Sequence, residues 1–407
     1  MKLSSIVVLI GALQISGAYA DTANPNAAFE KLFPFYTTTC VTGKTTRNTG
    51  EASANFGHEI MYIKGACKDN SVGYPKLKMC DATDSEGGVV LSLDGRFSNT
   101  LFTAVPGKEF LINAGVKSDE PFTQATLDAV MQRVVDTGAL KGVKVGRVLF
   151  DNKPEKYSEE QWMANTMTPT DWGISLGRES YCLNIPMNQA QIQAEVDHLD
   201  TVNEPFVTEK AEVNWTLLGT NCATLVHNTL HAIGIRGEIN EDPTKLVLVG
   251  EAFKQELPIP TNDFSLNEDV FNRVNKIDIA EVVFANKELR DLFDRFDTLP
   301  EASPTLLEYY PAHTYQNEIF TAGSIRWFEL LGTHFNRNKI EKILANPAYG
   351  TIQGSLERVL KRLQYVQSTQ KPVKADADSD LGKFAFRYNA WVQRSIDDLT
   401  GKLASLK

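Results

Sequence analysis

Asn214-Trp215-Thr216-Leu217-Leu218-Gly219-Thr220-Asn221-Cys222-Ala223-Thr224-Leu225-Val226 is the stretch on which the reading of this chain turns. The apolar residues after Cys222 fall at Leu225, Val226, Leu230 and Ile233, the spacing of one helix face. Gly234 then reads as a C-terminal stop. Thr220 or Asn221 is a natural N-cap. Cys222 therefore belongs in the first helical turn, on the same side as the apolar stripe. Unpaired N–H groups and the helix dipole at such a position favour the thiolate over the thiol. A plain buried cysteine is the alternative reading.

A nucleophilic thiol needs an imidazole to move its proton. His227 and His231 stand four apart on the same helix. That spacing can hold a metal, but no Glu adjoins His227 as it does on a zinc-protease helix. Both histidines lie away from the Cys222 face at about 100° per residue. They read as partly exposed helix histidines, and no metal or cofactor is called for. The partner comes from Phe56-Gly57-His58-Glu59-Ile60-Met61-Tyr62-Ile63, a strand-like run with His58 at its start. Gly57 permits close backbone approach just before it. A third polar group usually orients the imidazole. Asp94, in Val89-Val90-Leu91-Ser92-Leu93-Asp94-Gly95, is the candidate, and a turn Asp before Gly is its other reading. Asn221 and the backbone N–H of Cys222 can stabilise an oxyanion, or Asn221 is only the helix cap.

Residues 1–20 have the layout of a secretory signal: Lys2, an apolar core from Ile6 to Ile15, and Ala18-Tyr19-Ala20 as the cleavage site. That core is too short to anchor in a bilayer. No cysteine follows the cleavage site, which argues against lipoprotein processing. The expected mature product starts near Asp21 and is soluble and exported, in the periplasm or outside the cell. Hydrophobic residues make up 42% of the 407, enough for two globular domains. A net charge of -10 argues against nucleic acid and against broad docking on an anionic membrane, leaving room for a local peripheral contact.

Five cysteines are present: Cys40, Cys67, Cys80, Cys182 and Cys222. In an oxidising compartment an odd count leaves one thiol over. Cys67 and Cys80 flank a loop rich in Asp, Asn, Gly and Pro and can staple it. Cys40 and Cys182 can form a second bridge, although spacing alone does not fix the connectivity. Cys222 is then the odd one out, either as a nucleophile or as a buried thiol without function.

The chain divides into a mixed part over 27–250 and a mainly helical part over 262–407, read as a domain packed on the first or as a separate one, joined by Pro258-Ile259-Pro260-Thr261-Asn262. Predicted strands are His58 to Lys64, Val89 to Leu93, Gly146 to Phe150 and Tyr181 to Ile185. Predicted helices in the first part are Pro121 to Thr137 and Gln189 to Leu199, the latter started by Asn188. In the second part they are Asn267 to Asn275, Ile277 to Phe296, Gln316 to Asn336, Ile352 to Gln367 and Leu381 to Ala404. Before the third of these stands Tyr309-Tyr310-Pro311-Ala312-His313-Thr314-Tyr315. Tyr309, Tyr310, His313 and Tyr315 read either as a packed polar-aromatic patch or as a substrate wall beside the active site.

Gly-His before a strand, followed much later by Asn-Cys at a helix start, resembles the circularly permuted papain-like, NlpC-type superfamily. Within it, Phe56-Gly57-His58 and the run from Asn214 to Cys222 resemble the Lnb-type N-terminal periplasmic domain family of Gram-negative bacteria. The resemblance rests on two short motifs and covers about the first 235 residues. It implies an α+β fold: a permuted papain-like domain with a small antiparallel sheet, followed by the helical region. It also implies an exported Cys/His enzyme working on an envelope lipid, a lipoprotein or peptidoglycan. Members are linked to moving an acyl chain from a phospholipid to a lipoprotein amino terminus, and other branches cleave amides in peptidoglycan peptides. A non-catalytic binding protein on the same fold is the third possibility.

Overall fold

The computed structural model describes residues 25–42, 58–82, 87–92, 96–111, 114–116, 123–167, 172, 180–213, 222–233, 306–310, 345–369 and 376–407. Its centre is a six-stranded antiparallel sheet in the order β6-β5-β2-β1-β7-β8. These strands are β1 (Tyr36–Thr42), β2 (His58–Lys64), β5 (Gly88–Ser92), β6 (Thr103–Pro106), β7 (Ser180–Pro186) and β8 (Leu306–Tyr310). A small hairpin of β3 (Ala66–Lys68) and β4 (Leu77–Met79) branches from the end of β2. The α+β class with an antiparallel sheet is therefore as expected.

Both faces of the sheet are covered. Strands sandwiched in this way lose the usual alternation and read as continuous apolar runs. Val89, Val90 and Leu91 of β5 are all buried, and so are Ile60 to Ile63 of β2. Tyr36, Ile60, Tyr62, Val90 and Val105 face one layer. That layer contains α1 (Pro25–Leu32), α2 (Gln124–Asp136), α3 (Glu159–Met167), α7 (Ile352–Thr369) and α8 (Asp380–Ser405), with the short α6 (Pro347–Gly350) leading into α7. Met61, Ile63, Val89, Leu91, Leu183 and Ile185 face the other, formed by α4 (Gln189–Val207), α5 (Cys222–Ala232) and the β3–β4 hairpin. The centre of the sheet is unusually rich in threonine. Thr38 donates to Asn184 Oδ1 across β1 and β7 at 2.6 Å, and Thr37 donates into the α4 layer.

Two disulfides brace this frame. Cys40 and Cys182 are directly opposite in the β1–β7 register and are bonded to each other, 142 residues apart in sequence. Cys67 and Cys80 close the β3–β4 hairpin across 13 residues. Such bonds are typical of proteins outside the cytoplasm. No helix among the described residues is long and apolar enough to cross a membrane.

Several elements differ from the sequence reading. Gly146 to Phe150 is not a strand: only Val145 bridges to Phe97, and Arg147–Phe150 form a 3-10 turn. The apolar letters misled because this turn is at the surface, with Val148 77% exposed. α4 continues past Leu199 to Val207, with Pro205 tolerated in its last turn. Leu306–Tyr310, within the part read as helical, is β8, paired to β7 from Leu306 opposite Asn184 to Tyr310 opposite Ser180. The predicted helices at 267–275, 277–296 and 316–336, and residues 1–20, lie outside the described residues.

Candidate active site

The site is built where α5 lies on β2. Val226 and Leu230 drive this docking: both are buried in the core cluster that contains Met61 and Ile63 of β2. Thr229 is buried too, and its hydroxyl bonds back to the Leu225 carbonyl at 2.8 Å, so it needs no outside partner. Cys222 is the first residue of α5, as the spacing predicts. It is half-buried, packs against the same cluster, and takes part in neither disulfide. Its first-turn position gives the sulfur the N–H-rich end of the helix.

His58 is the first residue of β2, its backbone paired with Thr42 of β1. The structure thus brings together the strand headed by His58 and the helix headed by Cys222. The His58 imidazole, and with it the spacing to the thiol, lies outside the described residues. So do Asp94, Asn221, His313 and Tyr315, and the side chains of Tyr309 and Tyr310. The backbones of these two tyrosines form the end of β8, opposite Tyr181 and Ser180.

His227 is half-buried and His231 exposed, as read from the helix. His231 acts electrostatically on His198 of α4, whose pKa is lowered first by burial and then by that neighbour. No group of three or more His, Cys, Asp or Glu that could hold a metal ion occurs among the described residues.

Two acidic residues near this layer escaped the sequence reading. Glu59 follows His58 and is 2% exposed, on the β2 face shared with Met61 and Ile63. Glu195 is completely buried in α4. Thr37 donates to its Oε2 at 2.7 Å, and its Oε1 has no hydrogen-bond partner. Burial pushes its pKa up to about 8, against the opposing effect of the Thr37 hydroxyl. A signal for it was present: Glu195 falls three after Ile192 and four before Leu199, on the apolar stripe of its helix.

Comparison with known proteins adds no relative: no family model, no curated protein and no solved structure matches this chain.

Proposed function

We propose that this protein is an extracytoplasmic cysteine-dependent acyl-transfer enzyme with a permuted papain-like arrangement of His58 and Cys222. One observation carries the reading. In a chain whose other four cysteines are paired, the remaining thiol heads a helix that docks on the strand headed by a histidine. A structural cysteine has no need of that position, whereas a nucleophile does.

The chemistry then runs in two steps. His58 takes the Cys222 proton, and the thiolate adds to an ester carbonyl of a phospholipid acyl chain. The tetrahedral intermediate collapses by breaking the C–O bond. The lysolipid alkoxide leaves with the proton from the imidazolium, and a thioester remains on Sγ. In the second step an amine attacks the thioester carbonyl and loses a proton to His58. The C–S bond breaks, and the thiolate takes the proton back. The amine of a lipoprotein N-terminus is the acceptor by family resemblance. Asn221 with the Cys222 N–H supplies the oxyanion donors, and Asp94 orients His58. In this reading Tyr309, Tyr310, His313 and Tyr315 are the residues assigned to the wall along the acyl chain.

Intact-mass analysis tests this directly. After mixing with phosphatidylethanolamine vesicles, the protein gains one acyl mass that hydroxylamine removes. Cys222→Ser and His58→Ala gain none, and Cys222→Ser keeps a melting temperature within about 2 °C of wild type. An adduct with muropeptides but not with lipid moves the assignment to a cell-wall amidase. An unchanged adduct in Cys222→Ser overturns it.

A further inference from the structure

The fully buried Glu195 is a group the proposed chemistry does not use. It is held between α4 and the sheet with one hydrogen bond, from Thr37 of β1. Its neighbours along the helix face are Ile192, Val196 and Leu199, all buried in the core. A carboxylate here has one donor for two oxygens, so the ionised form is poorly solvated. Lifting of α4 would open the second oxygen, Oε1, to water.

We propose that Glu195 is a pH-operated latch for α4: neutral, it lets the helix seat on the sheet, and deprotonation favours the lifted helix.

The surrounding groups leave this role to Glu195. On β1 it meets the Thr37 hydroxyl. On β2 the acidic residue of the same face is Glu59. α5 contributes Cys222, His227 and His231. Along α4 stand Asp197 and His198, then Asp200, which accepts from the Leu77 N–H at 2.9 Å. The β3–β4 hairpin brings Lys68, Lys76 and Lys78; Lys68 donates to the Gly138 carbonyl. For Glu195 itself, burial raises the proton affinity and the Thr37 hydroxyl opposes it.

The latch reaches further than one contact. Past Glu195, Asn203 of α4 accepts from the Leu101 N–H at 2.7 Å and donates to the Pro75 carbonyl at 3.1 Å. α4 also packs on α5. Lifting α4 thus loosens the support of the helix that carries Cys222. This last link rests on the proposed site, whereas the latch itself does not.

The sign follows from linkage. Folded Glu195 keeps its proton up to about pH 8, while the solvated side chain loses it near 4.5. Between these values the lifted helix binds one proton fewer, so lifting becomes easier as pH rises, and the effect is complete above pH 8.

Hydrogen exchange of the whole protein, corrected for intrinsic chemistry, reads this without reference to activity. In wild type the opening constant of α4 amides should rise about tenfold per pH unit from pH 6 to 8 and then level off. In Glu195→Gln and in Glu195→Met it should stay flat. In Thr37→Val the plateau should move to higher pH, because the hydroxyl favours the charged form. The same slope in Glu195→Gln as in wild type overturns the latch. So does an equal response in α2 and α8 on the opposite face, which would report global unfolding. A loss of acyl adduct with the exchange pattern intact leaves the latch standing and removes only the acyl-transfer reading.

Discussion

Single residues fix the local geometry, and some were legible in advance. Asn188 caps α4: its Oδ1 accepts from the Gln191 N–H at 2.8 Å, and the Gln191 side chain returns the bond to the Asn188 N–H at 3.0 Å. Asn188→Ala should cost about 1 kcal/mol in urea unfolding, as cap removal does. Gly142 was not legible. Its φ is +76°, and a Cβ there would collide with the Gly73 carbonyl. Its own carbonyl accepts from Asn99 Nδ2 at 2.8 Å, so it cannot simply move aside. Gly142→Ala should therefore lose about 2 kcal/mol or more, measured by thermal or urea unfolding. Nothing in the letters around Gly142 announces this, because the collision is with a residue 69 positions away, on another loop.

At the scale of elements, the sequence served best where one element carries its own signal. β2, β5 and β7 are apolar runs bounded by breakers, and α5 is an apolar stripe with a stop. β1 was missed although Thr37, Thr38, Thr39 and Val41 are β-branched, a strand preference that a search for apolar letters passes over. β8 was missed because Leu-Leu-Glu-Tyr-Tyr is short and its pairing partner, β7, lies over a hundred residues earlier. The predicted end of α4 at Leu199 fell short of Val207, because the last two turns carry few apolar residues. In the structure Asn203 is a buried clamp, with Thr100 also donating to its Oδ1 at 3.2 Å. Asn203→Ala leaves the Leu101 N–H buried without its acceptor. It should lower stability by about 2 kcal/mol and raise proteolytic cutting near Pro75 and Leu101, since one side chain ties both. For the site, the positions of Cys222 and His58 at the heads of their elements were legible. Glu195 was overlooked because glutamate is expected on the outer face of a helix.

At the scale of the molecule, the first and last of the described elements share one core. Tyr388, Trp391, Val392 and Leu399 of α8 are buried in the cluster that holds Phe29 and Tyr36. Trp391→Ala should cost about 3–5 kcal/mol, and a chain ending at residue 344 should show no cooperative unfolding transition by calorimetry. The long-range disulfide acts at the same scale. Joining residues 142 apart restricts the unfolded chain more than joining residues 13 apart. The Cys40→Ala/Cys182→Ala pair should lose about 4–5 kcal/mol, against about 3 for Cys67→Ala/Cys80→Ala, in guanidinium unfolding without reductant. The order of these bonds has a consequence for how the protein is made. The pairing is nested: first cysteine to fourth, second to third. If oxidation proceeds from the N-terminus, Cys40 meets Cys67 and Cys80 before Cys182 and can pair with either of them first. From such a pairing the native connectivity is reached only by thiol exchange, in which Cys222 can take part as a fifth sulfur. Yield should depend on an isomerase or a glutathione redox couple, not on oxidising power alone.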